Sequence, residues 1–240
     1  MRLREWMALS ALFFLLLPSL PGEGRASLPR YPHDPEPVAR SVPGPLAESL
    51  EKENADPLRE WVSRYLQGVD DEFLRIKMLH DWVALHIDYD TEALFSGRIP
   101  PQDVVSVLKR REAVCEGYAR LFQALSRASG TECVIIRGEV RLPLTKEKRK
   151  TLSHAWNAVK IRGRWFPVDT TWDAGFLSGE EYQSRYSAAY LFIPPEELIS
   201  THFPEDPAWQ LLDDEVTREE FLSRPLLTGT YYEYFSRSSL

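Results

Sequence analysis

Cys115, His154 and Asp169 are the residue types of a nucleophilic relay: a sulfur that attacks, an imidazole that carries protons, and a carboxylate that orients the imidazole. Tyr118, Leu121, Phe122 and Leu125 recur at helical spacing and predict a helix over 114–128, with Gly130 as its stop. Cys115 therefore falls at a helix start, where unpaired N–H groups and aligned peptide dipoles favour the nucleophilic thiolate. Position alone favours a small buried hydrophobe, the usual fate of a lone cysteine. The other two residues tip the balance. Segments 154–161 and 164–171 flank Arg162-Gly163, a predicted two-residue hairpin turn. If residue 161 pairs with 164, His154 lies opposite Thr171 and Trp156 opposite Asp169. Strand side chains alternate, so all four share one face, with His154 and Asp169 as diagonal neighbours. A three-residue turn would send Asp169 to the other face.

Helices supply the body that must hold these groups. A helical pattern starts at about residue 46, and Asp56-Pro57 reads as a cap with proline at the first helical position. Leu58, Trp61, Val62, Tyr65 and Leu66 follow on one face up to Gly68. A second helix starts at Asp70 or Asp71 and runs to about His86, with Phe73, Ile76, Leu79 and Val83 inward. Residues 88–100 read as a loop, followed by a short helix near 103–109. Beyond Gly130 the period changes: 132–140 is β-rich, and further strands are expected at 190–193 and 230–235. Helices first and an antiparallel sheet second indicate an α+β domain.

The string AVCEGYARLFQALSRASG followed by SHAWNAVKIRGRWFPVDTTWDAG resembles the core motifs of the transglutaminase-like superfamily. The match extends upstream to HIDYD at 86–90, and the downstream run at 190–212 with TREEFLSRPLL at 217–227 is similar to the kyphoscoliosis-peptidase branch, so the resemblance spans roughly 60–235. It implies a papain-like α+β core, with the nucleophile Cys115 on a helix and the base His154 and third member Asp169 on adjacent strands. One departure is Glu112-Ala113 before Val114-Cys115, where the family often has glycine. The Cys115 N–H is an expected oxyanion donor. Gln102 and Tyr89 are candidate side-chain donors, and Trp156 and Trp172 are first core residues and then candidate cleft walls.

Composition agrees with a folded body: 43% hydrophobic residues and 7 Trp supply core material, which disorder and coiled coils lack. The net charge of -7 argues against nucleic acid as a partner. At the N-terminus, Arg2 and Arg4 precede the apolar run 8–17, broken by Pro18, a pattern that reads as a signal peptide over 1–24. An uncleaved membrane anchor is the competing reading. Residues 18–45 hold eight of the 18 prolines, so 25–45 reads as a tether to a catalytic domain at 46–240. A secreted or periplasmic protein is expected, with no membrane partner after cleavage.

Cys133 reads as buried strand packing; a bridge to Cys115 would require the strand to fold back on the helix start. His80 and His86 are six apart, off the HExxH spacing, and read as surface or packing residues. His202 reads as exposed in a proline-flanked loop. No metal or other cofactor is expected. The expected activity is acyl transfer from a peptide or protein substrate through a Cys115 thioester. Water as acceptor makes a peptidase or amidase, and an amine makes a transglutaminase. The alternative is a non-catalytic binding module. Nothing in the residues specifies an oligomeric state.

Overall fold

The computed structural model describes residues 57–141 and 151–227. The expected signal peptide, tether, helical start with its Asp56 cap, and strand at 230–235 lie outside the described residues. Helix α1 (Pro57–Tyr65) buries Trp61, Val62 and Tyr65. Helix α2 (Glu72–His86) starts where Asp71 caps the Leu74 N–H at 2.8 Å. The expected loop at 88–100 instead holds strand β1 (Asp88–Tyr89) and helix α3 (Thr91–Ser96), capped by Asp90. Two residues are too short for period-two alternation, so β1 left no pattern in the sequence. Helix α4 (Val104–Arg110) leads to β2 (Glu112–Ala113), which pairs in parallel with β1. Helix α5 (Cys115–Ala128) follows and buries the expected Tyr118, Leu121, Phe122 and Leu125.

Strands β3 (Glu132–Arg141), β4 (Thr151–Ile161), β5 (Arg164–Val168) and the short β8 (His202–Pro204) form one sheet in the order β5-β4-β3-β8. All its pairings are antiparallel, so the domain is α+β. The β4–β5 hairpin has the two-residue register, with Ile161 opposite Arg164 and Asn157 opposite Val168. Arg162 and Gly163 both take positive φ, 49° and 79°, as the mirror-image turn of a tight hairpin requires. β5 ends earlier than expected. Asp169 caps helix α6 (Thr170–Ala174), accepting the Thr171 and Trp172 N–H groups, which takes Thr171 out of the sheet. The expected strand at 190–193 reduces to one bridge between Val168 and Leu191. A hairpin of β6 (Gly175–Ser178) and β7 (Glu181–Ser184), helix α7 (Pro195–Leu198) and helix α8 (Arg218–Ser223) complete the described chain.

Apolar layers flank the sheet. Val159, Ile161 and Phe166 belong to the large core with α1, α2 and α5, whereas Ile136, Trp156 and Ala158 pack with Tyr190, Ile193 and Leu198. Gly138 sits on β3 between His154 of β4 and Pro204 of β8. A Cβ there would stand 2.1 Å from the Phe203 carbonyl oxygen and 2.8 Å from Trp156. The close seating of β8 on β3 therefore requires glycine.

Lys77, His80 and Asp81 of α2 and Asp173 of α6 are all fully buried. Lys77 Nζ meets Asp81 Oδ2 at 2.6 Å, and His80 bridges Asp81 Oδ1 at 2.9 Å and Asp173 Oδ2 at 3.0 Å. His80 thus departs from a surface or simple packing role, because Asp173 reaches it from 93 residues away. Burial alone would keep the imidazole neutral, but Asp173 and Asp81 outweigh it and raise the pKa to about 9. The charged ring then balances two acids together with Lys77.

Two outcomes are expected. Gly138→Ala should cost about 1–3 kcal/mol in urea unfolding, because backbone as well as ring atoms must move. His80→Gln should cost about 3–5 kcal/mol near pH 6, the usual penalty for breaking a buried charge pair. His80 gains affinity for its proton on folding, so its stabilisation is complete below about pH 6.5 and fades as pH rises through about 9. Urea midpoints of wild type and His80→Gln should therefore converge at high pH.

Candidate active site

Cys115 is the first residue of α5, and the Val114 cap supplies no side-chain hydrogen bond. Gln102 braces that start from outside: its Oε1 accepts the Val114 N–H at 3.1 Å, and its Nε2 donates to the Pro100 carbonyl at 2.9 Å. His154 projects from β4 and Asp169 caps α6, one residue beyond β5. Their contact, Nε2 to Oδ2, is 2.7 Å. With Nε2 so engaged, Nδ1 is the ring nitrogen left for the sulfur, and His154 is the group that most strongly favours the Cys115 thiolate. The β4–β5 ladder stops at Asn157, and beyond its end the Ala155 backbone also favours the thiolate. The diagonal His154–Asp169 relation expected from the hairpin is present, although Asp169 reaches it from a helix cap.

Burial opposes a thiolate at Cys115, but the hydrogen bond and charge of His154, with the Ala155 backbone, outweigh it and lower the thiol pKa. Burial likewise opposes a charged His154, yet Asp169 and the sulfur raise it to about 10. Asp169 is driven well below the usual carboxylate range: against the cost of burial stand His154 and His202. The lowered thiol and the raised imidazole both favour a thiolate–imidazolium pair anchored on a carboxylate. Cys133 is a separate free thiol on β3, raised to about 12 by burial.

His202 was expected on an exposed loop; it is 1% exposed, on β8. Its Nε2 lies 3.0 Å from Asp169 Oδ2, and Thr201 Oγ1 lies 2.8 Å from its Nδ1. A three-residue strand that ends in Pro204 is too short for alternation to reveal, so no periodic signal marked this residue. Trp156 is 1% exposed, stacked with the His154 ring and edge-on to that of His202, and so packs against both imidazoles and is not a wall of an open cleft. Trp172 is only partly buried and packs 5.9 Å from the His154 ring and 4.6 Å from that of His202. Tyr89 stacks 6.4 Å from Tyr118 and stays protonated, because burial and the Cys115 and Asp169 charges push its phenol upward.

Among the described residues, His154, Asp169 and His202 converge their donor atoms within 4.8 Å, the spacing of a potential metal site. Zinc ligands at ~2.0–2.1 Å from the metal stand roughly 3.3 Å apart. The observed contacts of 2.7 and 3.0 Å are instead hydrogen-bond lengths.

The family model described as the transglutaminase-like superfamily matches residues 59–170, the stretch from α1 to the Asp169 cap. The chain belongs to this superfamily. Its branch is that of the kyphoscoliosis peptidases. The transglutaminase-like chain is 31% identical to kyphoscoliosis peptidase of Mus musculus over 169 residues, covering 68% of this chain and 26% of that protein. It is 30% identical to the Homo sapiens protein of the same name over 180 residues, 73% of this chain and 27% of that one. Hillarin of Drosophila melanogaster is 24% identical over 211 residues, 79% of this chain and 24% of its own. The chain thus spans about a quarter of the length of these relatives.

The paired charges make a measurable expectation. Iodoacetamide should alkylate Cys115 with a midpoint below the free-thiol value of ~8.5. His154→Ala, which removes the compensating charge, should move that midpoint above the free-thiol value, since burial of the sulfur remains.

Proposed function

We propose that this transglutaminase-like chain is an exported cysteine acyl-transfer enzyme that cleaves peptide or protein amides through a thioester on Cys115. The observation that carries this reading is His154, whose Nε2 stands 2.7 Å from Asp169 and whose imidazole lowers the thiol pKa of Cys115 at the start of α5. In the proposed reaction the Cys115 thiolate attacks the amide carbonyl carbon, and the developing oxyanion meets the Cys115 N–H at the uncapped helix start. His154 then gives its proton to the leaving nitrogen as the C–N bond breaks. Water attacks the thioester, gives a proton to His154, and releases the acid and the thiolate. Asp169 stays ionised throughout and keeps the imidazole ring in line.

Hydrolysis is favoured over amine transfer by the likeness to proteins named kyphoscoliosis peptidase. Export is supported by the charged, apolar and proline-broken pattern of residues 1–24, which suits a secreted or periplasmic location. The proposed cleft places Tyr89 near the sulfur and Trp172 beside the base, while Gln102 steadies the helix start.

Cys115→Ala should reduce turnover of casein or a peptide library by at least about a thousand-fold. Mass spectra with and without an added primary amine separate the acceptors: cleavage products indicate a peptidase, and amine adducts a transglutaminase. Undiminished turnover in the alanine variant would overturn the enzyme reading in favour of a binding module.

A further inference from the structure

We propose that His202 is a positioning residue of this site: a second imidazole whose Nε2–H pins Asp169 Oδ2 and keeps the carboxylate aimed at His154. The inference rests on the Cys115–His154–Asp169 reading and adds a fourth member to it. His202 and His154 approach the same oxygen, at 3.0 and 2.7 Å. The other oxygen, Oδ1, is held by the Thr171 and Trp172 N–H groups at 2.9 and 3.2 Å. Asp169 is 1% exposed, so these donors stand in for water.

Two cations on one buried carboxylate oxygen would repel each other, and the surroundings decide which ring takes the charge. His202 lies against Trp156, Trp172 and Tyr190, with ring centroids 5.1, 4.6 and 5.6 Å away. The titratable groups facing it are Asp169, His154 and the Tyr190 phenol, and the first two shift it. Burial pushes His202 down to about 4; Asp169 opposes this and His154 reinforces it. His202 is therefore neutral. With its single proton on Nε2 facing the carboxylate, its Nδ1 is an acceptor 2.8 Å from Thr201 Oγ1, whose hydroxyl proton it shares with the Leu198 carbonyl at 3.2 Å, and this contact fixes the ring angle.

A neutral donor does what the base cannot. His154 gains and loses its charge in each turnover, so its pull on Oδ2 rises and falls. His202 does not titrate over that cycle, and its hold on the oxygen is constant. It also carries the constraint across the sheet, from β8 at one edge to the cap that follows β5 at the other.

The test compares His202→Phe, which keeps a ring but removes the donor, with His202→Gln, which breaks the aromatic packing but places an N–H near the Nε2 position. Casein turnover and the pH profile of Cys115 alkylation by iodoacetamide are read for both. His202→Phe should lose roughly ten- to a hundred-fold in kcat with little change in KM, the cost of a hydrogen bond to a charged group. Its alkylation midpoint should rise, and His202→Gln should restore most of both. Thr201→Val, a smaller change that frees Nδ1, should shift both readouts in the same direction and covers the case of a His202 variant that does not fold. A His202→Phe profile identical to wild type, or His202→Gln impaired more than His202→Phe, would show that the residue only fills space. Ordinary thiol behaviour in wild-type Cys115 would instead sink the relay itself.

Discussion

A single carboxylate holds the site together. Asp169 is almost wholly out of water and accepts four N–H groups, two from the helix it caps and two from imidazoles on different strands. An ionised carboxylate in such a place is tolerable only while those donors remain. The early end of β5, the turn of the chain into a five-residue helix and the seating of β8 over Gly138 all serve to bring them there. The sulfur depends on the same anchor at one remove, since its anionic form leans on an imidazole whose charge the carboxylate sustains.

A second buried charge network lies behind the first and is tied to it by α6. Asp169 opens that helix, and Asp173, within its five residues, receives His80 from α2, the Ser187 hydroxyl and the Tyr190 N–H. Asp169 in turn donates its own N–H to the Tyr190 carbonyl. One short helix therefore joins the carboxylate of the site to the helical half of the domain. Buried charge pairs contribute little net stability compared with well-packed apolar groups, but each requires a specific arrangement of partners. Here that requirement falls on the element that aims the carboxylate.

Much of this was legible in the residues. The α2 and α5 helices announce themselves by apolar spacing, and Cys115 by its place at the start of the second. Arg162-Gly163 marks a tight turn, and the turn sets which residues of β4 and β5 face each other. Other features left no local trace. β1 and β8 are two and three residues long, shorter than any period can show. His80 and His202 look unremarkable in sequence because their partners lie 93 and 33 residues away.

The sequence by itself determined the α+β class and singled out Cys115, His154 and Asp169 as a candidate relay, because helical period, hairpin register and a helix start are local properties of the chain. Only the tertiary structure decided how the carboxylate is held, which histidine is charged and which neutral, and that Trp156 packs against both rings. Those depend on burial and on donors brought from distant segments, and the free energy of a proton is set by everything within a few ångströms, however far apart along the chain.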